Sequence, residues 1–157
     1  MLTTDQKGTV AELAISLAAT ARGIDVYRPV NEGGRYDLIL DVERRLVRVQ
    51  CKWAPRHNDV VVVRCYSSRR TRDGLLRRLY AADEIEAYAA YCEELDRCFF
   101  LPYEEVASRR EVVLRFCRTR NNQKKGVNWA EDFDFDARLG PKLGAVAQLG
   151  ERRAGSA

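Results

Sequence analysis

The chain has 157 residues, 46% of them apolar and 32% charged, and a net charge of +4. That length supports one domain with its own core, and the composition excludes a disordered chain. No apolar run approaches the ~20 residues of a membrane span, and the N-terminal MLTTDQKG lacks the basic start and apolar stretch of a secretory signal, so a cytoplasmic protein is expected.

Thr3 or Thr4 caps a helix expected over residues 4–22, with Val10, Leu13, Ile15, Leu17, Ala18 and Ala21 as its apolar stripe and Gly23 as its stop. Residues 25–29 read as a short strand and 31–34 as a turn. Residues 36–42 and 46–53 read as two strands joined by the polar stretch 43–45, a hairpin. In its second strand Leu46, Arg48, Gln50 and Lys52 share one face, and Val47, Val49, Cys51 and Trp53 share the other. Residues 59–66 hold the apolar run of a central strand. The arginine-rich stretch 67–78 reads as a loop with room for a short helix. Residues 87–92 and 97–101 form a strand pair around a turn at 93–96. A helical turn at 102–107, a strand at 112–117 and a short helix or lid at 128–135 complete one domain, residues 1–138. The tail, 139–157, is rich in Gly and Ala, has no apolar stripe and is expected to be loosely ordered.

Two basic clusters stand out. Arg64, Arg69, Arg70, Arg72, Arg77 and Arg78 are interrupted only by Asp73. Arg115, Arg118, Arg120, Lys124 and Lys125 follow with no acid between them. The guanidinium fork suits phosphate, so both clusters are candidate nucleic-acid contacts. Cys51, Cys65, Cys92, Cys98 and Cys117 form no CxxC pair and His57 is the single histidine, which argues against zinc and for reduced thiols.

Three segments carry the chemistry: KGTVAE at 7–12, RYDL at 35–38 and VRVQCKW at 47–53. Hydrolysis of a phosphodiester needs an activated water, charge neutralisation in the transition state and help for the leaving oxygen, and bound Mg²⁺ supplies much of all three. Mg²⁺ takes hard oxygen ligands. Asp37 offers a carboxylate, Gln50 its side-chain carbonyl, Cys51 its backbone carbonyl, and Glu12 a carboxylate from the helix packed nearby. Lys52, two residues from Gln50 and on the same face, can orient the attacking water or stabilise negative charge.

The order KGxxAE, NEGGRYDL, RVQCK, continued by YAAYCEELDRCFFLP and NNQKKGVNWAEDF, resembles the PD-(D/E)xK endonucleases associated with bacterial group I introns, over roughly residues 2–135. The resemblance implies an α/β, restriction-endonuclease-like core with a mixed central sheet flanked by helices. It implies Glu12, Asp37, Gln50 and Lys52 as catalytic residues, double-stranded DNA as substrate, and a homo-oligomer, dimer or tetramer, because cutting both strands needs two active sites. Gln50 departs from the acid usual in the wider superfamily, which removes one negative charge from the metal site. A site-specific, homing-type enzyme is the leading expectation. A structure-specific nuclease and a catalytically decayed DNA-binding module are the alternatives. The tail segment GAVAQLGERRAG resembles the translation of a transfer-RNA gene, and no functional role is assigned to it.

Overall fold

The computed structural model describes residues 1–118, 121 and 125–144. Helix α1 spans Thr4–Thr20. Its start is a capping box: the Gln6 amide donates to Thr3 Oγ1 at 3.2 Å, and the Thr3 amide donates to Gln6 Oε1 at 2.9 Å. Its end turns at Gly23, whose φ of +75° lets the Ile24 amide reach back to the Ala19 carbonyl at 3.1 Å. The buried stripe is Ala11, Ile15 and Ala19. Leu13 and Leu17, expected in it, are 59% and 72% exposed. The reason is helix geometry: the Ala11, Ile15 and Ala19 face packs on Val49, Cys51, Ala87 and Ala89, and positions two residues on lie ~200° around the helix from it.

Strand β1, Asp25–Tyr27, pairs antiparallel with β2, Leu38–Val42, which pairs antiparallel with β3, Arg45–Trp53. The β2–β3 turn is the two residues Glu43 and Arg44, with φ of 50° and 67°. That is the conformation a two-residue hairpin demands, adopted without the usual Asn-Gly. Two short strands follow, β4 at Arg56–His57 and β5 at Val60–Arg64. Then come β6, Tyr66–Thr71, and β7, Gly74–Leu79, which among the described residues pair only with each other. The stretch expected as a loop is therefore an antiparallel hairpin. Residues 68–79 are all exposed, so no alternation of buried and wet positions marks it in the sequence.

Strand β8, Ala87–Cys92, pairs parallel with β3 and antiparallel with β9, Arg97–Pro102, completing a five-stranded mixed sheet of order β1-β2-β3-β8-β9. β8 is buried at every position, as a central strand covered on both faces must be. A single helical turn, α2 at Tyr103–Val106, leads to β10, Glu111–Arg115. β10 pairs antiparallel with β5 and parallel with β11, Asn128–Trp129, giving a second sheet of order β11-β10-β5-β4. Two short helices close the described chain, α3 at Ala130–Phe133 and α4 at Phe135–Leu139.

The central sheet has two cores. On one face α1 and Phe135 of α4 pack over Leu38, Leu40, Val49 and Ala89. On the other, Val61, Val63, Val112 and Leu114 of the second sheet pack over Tyr88, Ala90, Phe99 and Leu101. Helices cover one face and a sheet the other. The beginning of the expected tail is tied down: Arg22 Nε donates to the Gly140 carbonyl at 2.8 Å and the Leu143 amide to the Ala21 carbonyl at 3.0 Å. The rest of the tail, 145–157, lies outside the described residues. No helix among the described residues is long and apolar enough to cross a membrane, and all five cysteines are free thiols.

Candidate active site

β3 is long because it is held twice: by β2 over its first half and by β8 over its second. The β2–β3 ladder stops at the pair Leu38 and Val49. Beyond it the two strands part, and the space between them is where the candidate residues meet. The Asp37 amide still donates to the Val49 carbonyl at 2.9 Å. Its carboxylate accepts from the Cys51 amide at 2.9 Å, standing in for the backbone acceptor that β2 no longer provides. The side chain is thereby aimed along the open end of the pair, with its second oxygen left over.

Gln50 and Lys52 leave β3 on the face away from α1, as the alternation requires. The Gln50 side-chain carbonyl, Oε1, is buried without a hydrogen-bond partner. An unpaired buried carbonyl costs about 1–3 kcal/mol. Lys52 Nζ donates to the Tyr66 carbonyl at 2.7 Å and to the Tyr80 hydroxyl at 3.4 Å, and lies 5.0 Å from the centre of the Tyr80 ring. Burial pushes its ammonium down to about 8, with the charge of Asp37 opposing the shift. Asp37 is pushed up from the ordinary carboxylate value, by burial against the opposing Cys51 hydrogen bond and the charges of Lys52 and Arg28.

Glu12 comes from α1 on the other side of β3. Its carboxyl is also pushed up, by burial first and by the charge of Asp37 second. One of its oxygens accepts from Arg28 at 2.7 Å, so it is not wholly free. Cys51 turns its thiol into the α1 core, where burial holds it far above its usual range, so the side chain is inert.

Among the described residues no three His, Cys, Asp or Glu side chains cluster to hold a metal ion. The donors gathered here are of another composition: two carboxylates held uphill by burial and one orphaned amide oxygen. All are hard oxygens, and each would be stabilised by a divalent cation, so the set fits Mg²⁺.

Residues that sequence reasoning passed over surround Lys52. Arg35 Nε donates to Glu84 at 2.6 Å, Nη1 to Ser67 Oγ at 2.9 Å and Nη2 to the Leu79 carbonyl at 2.9 Å. Its guanidinium lies 4.1 Å over the Tyr80 ring. The RYDL segment contained Arg35, but no local spacing connects it to Ser67, Tyr80 or Glu84.

The two basic clusters part company. Arg69, Arg70, Arg72, Arg77 and Arg78 belong to the exposed β6–β7 hairpin or its turn. Arg77 lies over the Tyr66 ring at 4.9 Å, and Arg78 pairs with Glu84 at 3.3 Å. Arg64 sits just before the hairpin, 3.9 Å from Glu111. Because β5 and β10 are antiparallel, the hairpin leaves at the Arg64 and Glu111 end, while residues 116–118 leave at the Val60 and Arg115 end. At about 3.3 Å per residue the ends lie ~13 Å apart. Arg118 and Lys125 are exposed at that far end. Arg120 and Lys124 lie outside the described residues. The hairpin cluster, rooted at Tyr66, is the one beside Lys52. His57 is exposed on β4, and Trp53 packs edge-on to Tyr91 with centroids 6.2 Å apart.

No curated protein matches the chain at a significant level. Among solved structures, a bacterial homing endonuclease, I-Ssp6803I, superposes with a TM-score of 0.70 over 94% of this chain and 99% of its own, at 24% identity. That likeness establishes the fold. A family model described as PD-(D/E)XK endonuclease matches residues 2–136. With most of its length matched, and with an acid at the mouth of a parted strand pair facing a QxK strand, the chain belongs to the PD-(D/E)XK endonuclease family.

Proposed function

We propose that the protein is a Mg²⁺-dependent, site-specific endonuclease acting on duplex DNA, homing-type in its target choice. The observation that carries this reading is the meeting of Asp37, the orphaned Gln50 oxygen and the half-buried Lys52 ammonium where β2 and β3 separate. Asp37, Gln50, the Cys51 backbone carbonyl and Glu12 are the residues to hold the ion. When bound, Mg²⁺ supplies an acidic water and neutralises charge on the scissile phosphate.

The chain's own groups do the rest. Asp37 is oriented by the Cys51 amide and presents its free oxygen into the site. Gln50 brings an uncharged oxygen where an acid would add a second charge beside Asp37, which lowers metal affinity and eases the desolvation of the pair. Lys52, as an ammonium, has three donors; the Tyr66 carbonyl and the Tyr80 hydroxyl take two and aim the third at the attacking water or the phosphate oxygen. Arg64, Arg69, Arg70, Arg72 and Arg77 bind the phosphate backbone beside the site. Cutting both strands requires two such sites, so the working form is a homo-oligomer.

A screen of wild-type protein with Mg²⁺ against genomic and plasmid DNA tests the reading, with Lys52→Ala as control. Defined fragments from the wild type and none from a folded Lys52→Ala protein are expected. Equal cleavage by both removes Lys52 from the site, and no cleavage by the wild type with retained DNA binding makes the protein a binding module.

A further inference from the structure

Among the described residues, the Lys52 ammonium has no hydrogen-bond acceptor on its own sheet. The two acceptors of its ammonium, the Tyr66 carbonyl and the Tyr80 hydroxyl, lie at the two feet of the β6–β7 hairpin, where β6 begins and just after β7 ends. Among the described residues the hairpin makes a sheet only with itself, and residues 68–79 have no buried side chain to fix it against the body. Its root must therefore be fastened locally, or the lysine's acceptors move whenever the hairpin does.

Arg35 is that fastening. Its three nitrogens go to three different segments: Ser67 at the start of β6, the Leu79 carbonyl at the end of β7, and Glu84 beyond it. Glu84 is braced in turn by the Ala81 amide at 3.0 Å. The guanidinium also covers the Tyr80 ring, which Lys52 Nζ approaches as well. Arg35 and Glu84 are largely shielded, with side chains 23% and 14% exposed. A surface ion pair would need only one partner, whereas this fork joins both feet of a hairpin to the body.

We propose that Arg35 is a positioning residue for Lys52, clamping both feet of the arginine hairpin so that the element gripping DNA and the acceptors aiming the lysine move as one. The kinetic consequence rests on the nuclease reading; the clamp itself does not. Hydrogen exchange and single-turnover cleavage on full-length wild type, Arg35→Met, Arg35→Lys and Ser67→Ala separate the two. Arg35→Met is expected to speed amide exchange across residues 66–80 at least about tenfold, with α1 and β8 unchanged. Its cleavage rate at saturating DNA, on the plasmid fragment that the wild type cuts with Mg²⁺, is expected to fall on the order of 100-fold, the scale set by an ångström of misplacement. Its Kd for a random-sequence duplex in Ca²⁺ is expected to stay within about threefold. Arg35→Lys keeps the charge over Tyr80 but cannot reach three partners, so it should fall between, and Ser67→Ala should show a smaller change of the same kind. Should Arg35→Met fail to fold, those two variants decide the matter by the same readouts. A weakened Kd with an unchanged saturating rate makes Arg35 a DNA-binding group and overturns the proposal, as does wild-type exchange in the hairpin of the variants. A wild type that cuts nothing refutes the nuclease reading, and the exchange data still decide the clamp.

Discussion

The Cys51 amide donates to the carboxylate of Asp37 at 2.9 Å, across the gap where β2 has ended and β3 runs on. One hydrogen bond thus does two things: it satisfies a backbone donor without a strand partner and it aims a half-buried acid into the site.

Asp37→Asn separates those roles. The asparagine oxygen can accept the same amide, so thermal stability should stay within about 1 kcal/mol of wild type. The charge is gone, so Mg²⁺ or Mn²⁺ affinity should fall by more than the ~10–100-fold typical of losing an outer-shell partner. Calorimetric titration with Mn²⁺ checks this, and unchanged affinity in the variant removes Asp37 from the ligand set.

Lys52 carries a stability signature in the metal-free protein. Its ammonium is held down to about 8 by burial, against an ordinary 10.5. Between those values the unfolded chain keeps a proton that the folded chain has released, so stability contributed by this group rises with pH across that window. Below it the full cost of the buried charge remains. Lys52→Met should therefore be more stable than wild type near neutrality, with the difference in Tm shrinking as pH rises from 8 to 10.5. A difference that is flat across that range would mean that the ammonium is not buried.

Gln50 offers a test in both directions. Gln50→Leu removes the unpaired oxygen, which should stabilise the metal-free fold by about 1 kcal/mol and abolish metal binding. Gln50→Glu adds a charge next to Asp37; it should destabilise the metal-free protein and tighten Mn²⁺ binding about tenfold, or ~1.4 kcal/mol. Parallel unfolding and titration experiments read both. Metal affinity indifferent to either change would sink the assignment of Gln50 as a ligand.

The hairpin arginines should be visible in the salt dependence of DNA binding. Each phosphate left without its arginine lowers the slope of log K against log salt by about 0.9. Arg69→Ala, Arg70→Ala and Arg72→Ala should each show roughly that decrement, and Arg78→Ala less, because Glu84 already holds part of its charge. Arg118→Ala, at the far end of the second sheet, should move the slope only if a DNA long enough to span both ends is used. Hairpin variants with the wild-type slope would assign DNA binding elsewhere.

Much of this protein is local, and the sequence alone determined it. A capping threonine and a glycine bracket α1, alternation defines β3, and Gln50 and Lys52 share a face because strand geometry has a period of two. The RYDL acid and the QxK strand were legible for that reason. What only the tertiary structure decided is everything that depends on residues distant in sequence. Leu13 and Leu17 stay exposed because α1 packs through its Ala11, Ile15 and Ala19 face, which leaves them on the far side. The arginine stretch became a hairpin because its strands pair with each other in solvent, where no hydrophobic period is imposed. The clamp of Arg35 on Ser67, Leu79 and Glu84 spans dozens of residues of chain. Backbone periodicity records which way a side chain points, but not what the folded chain will bring to meet it.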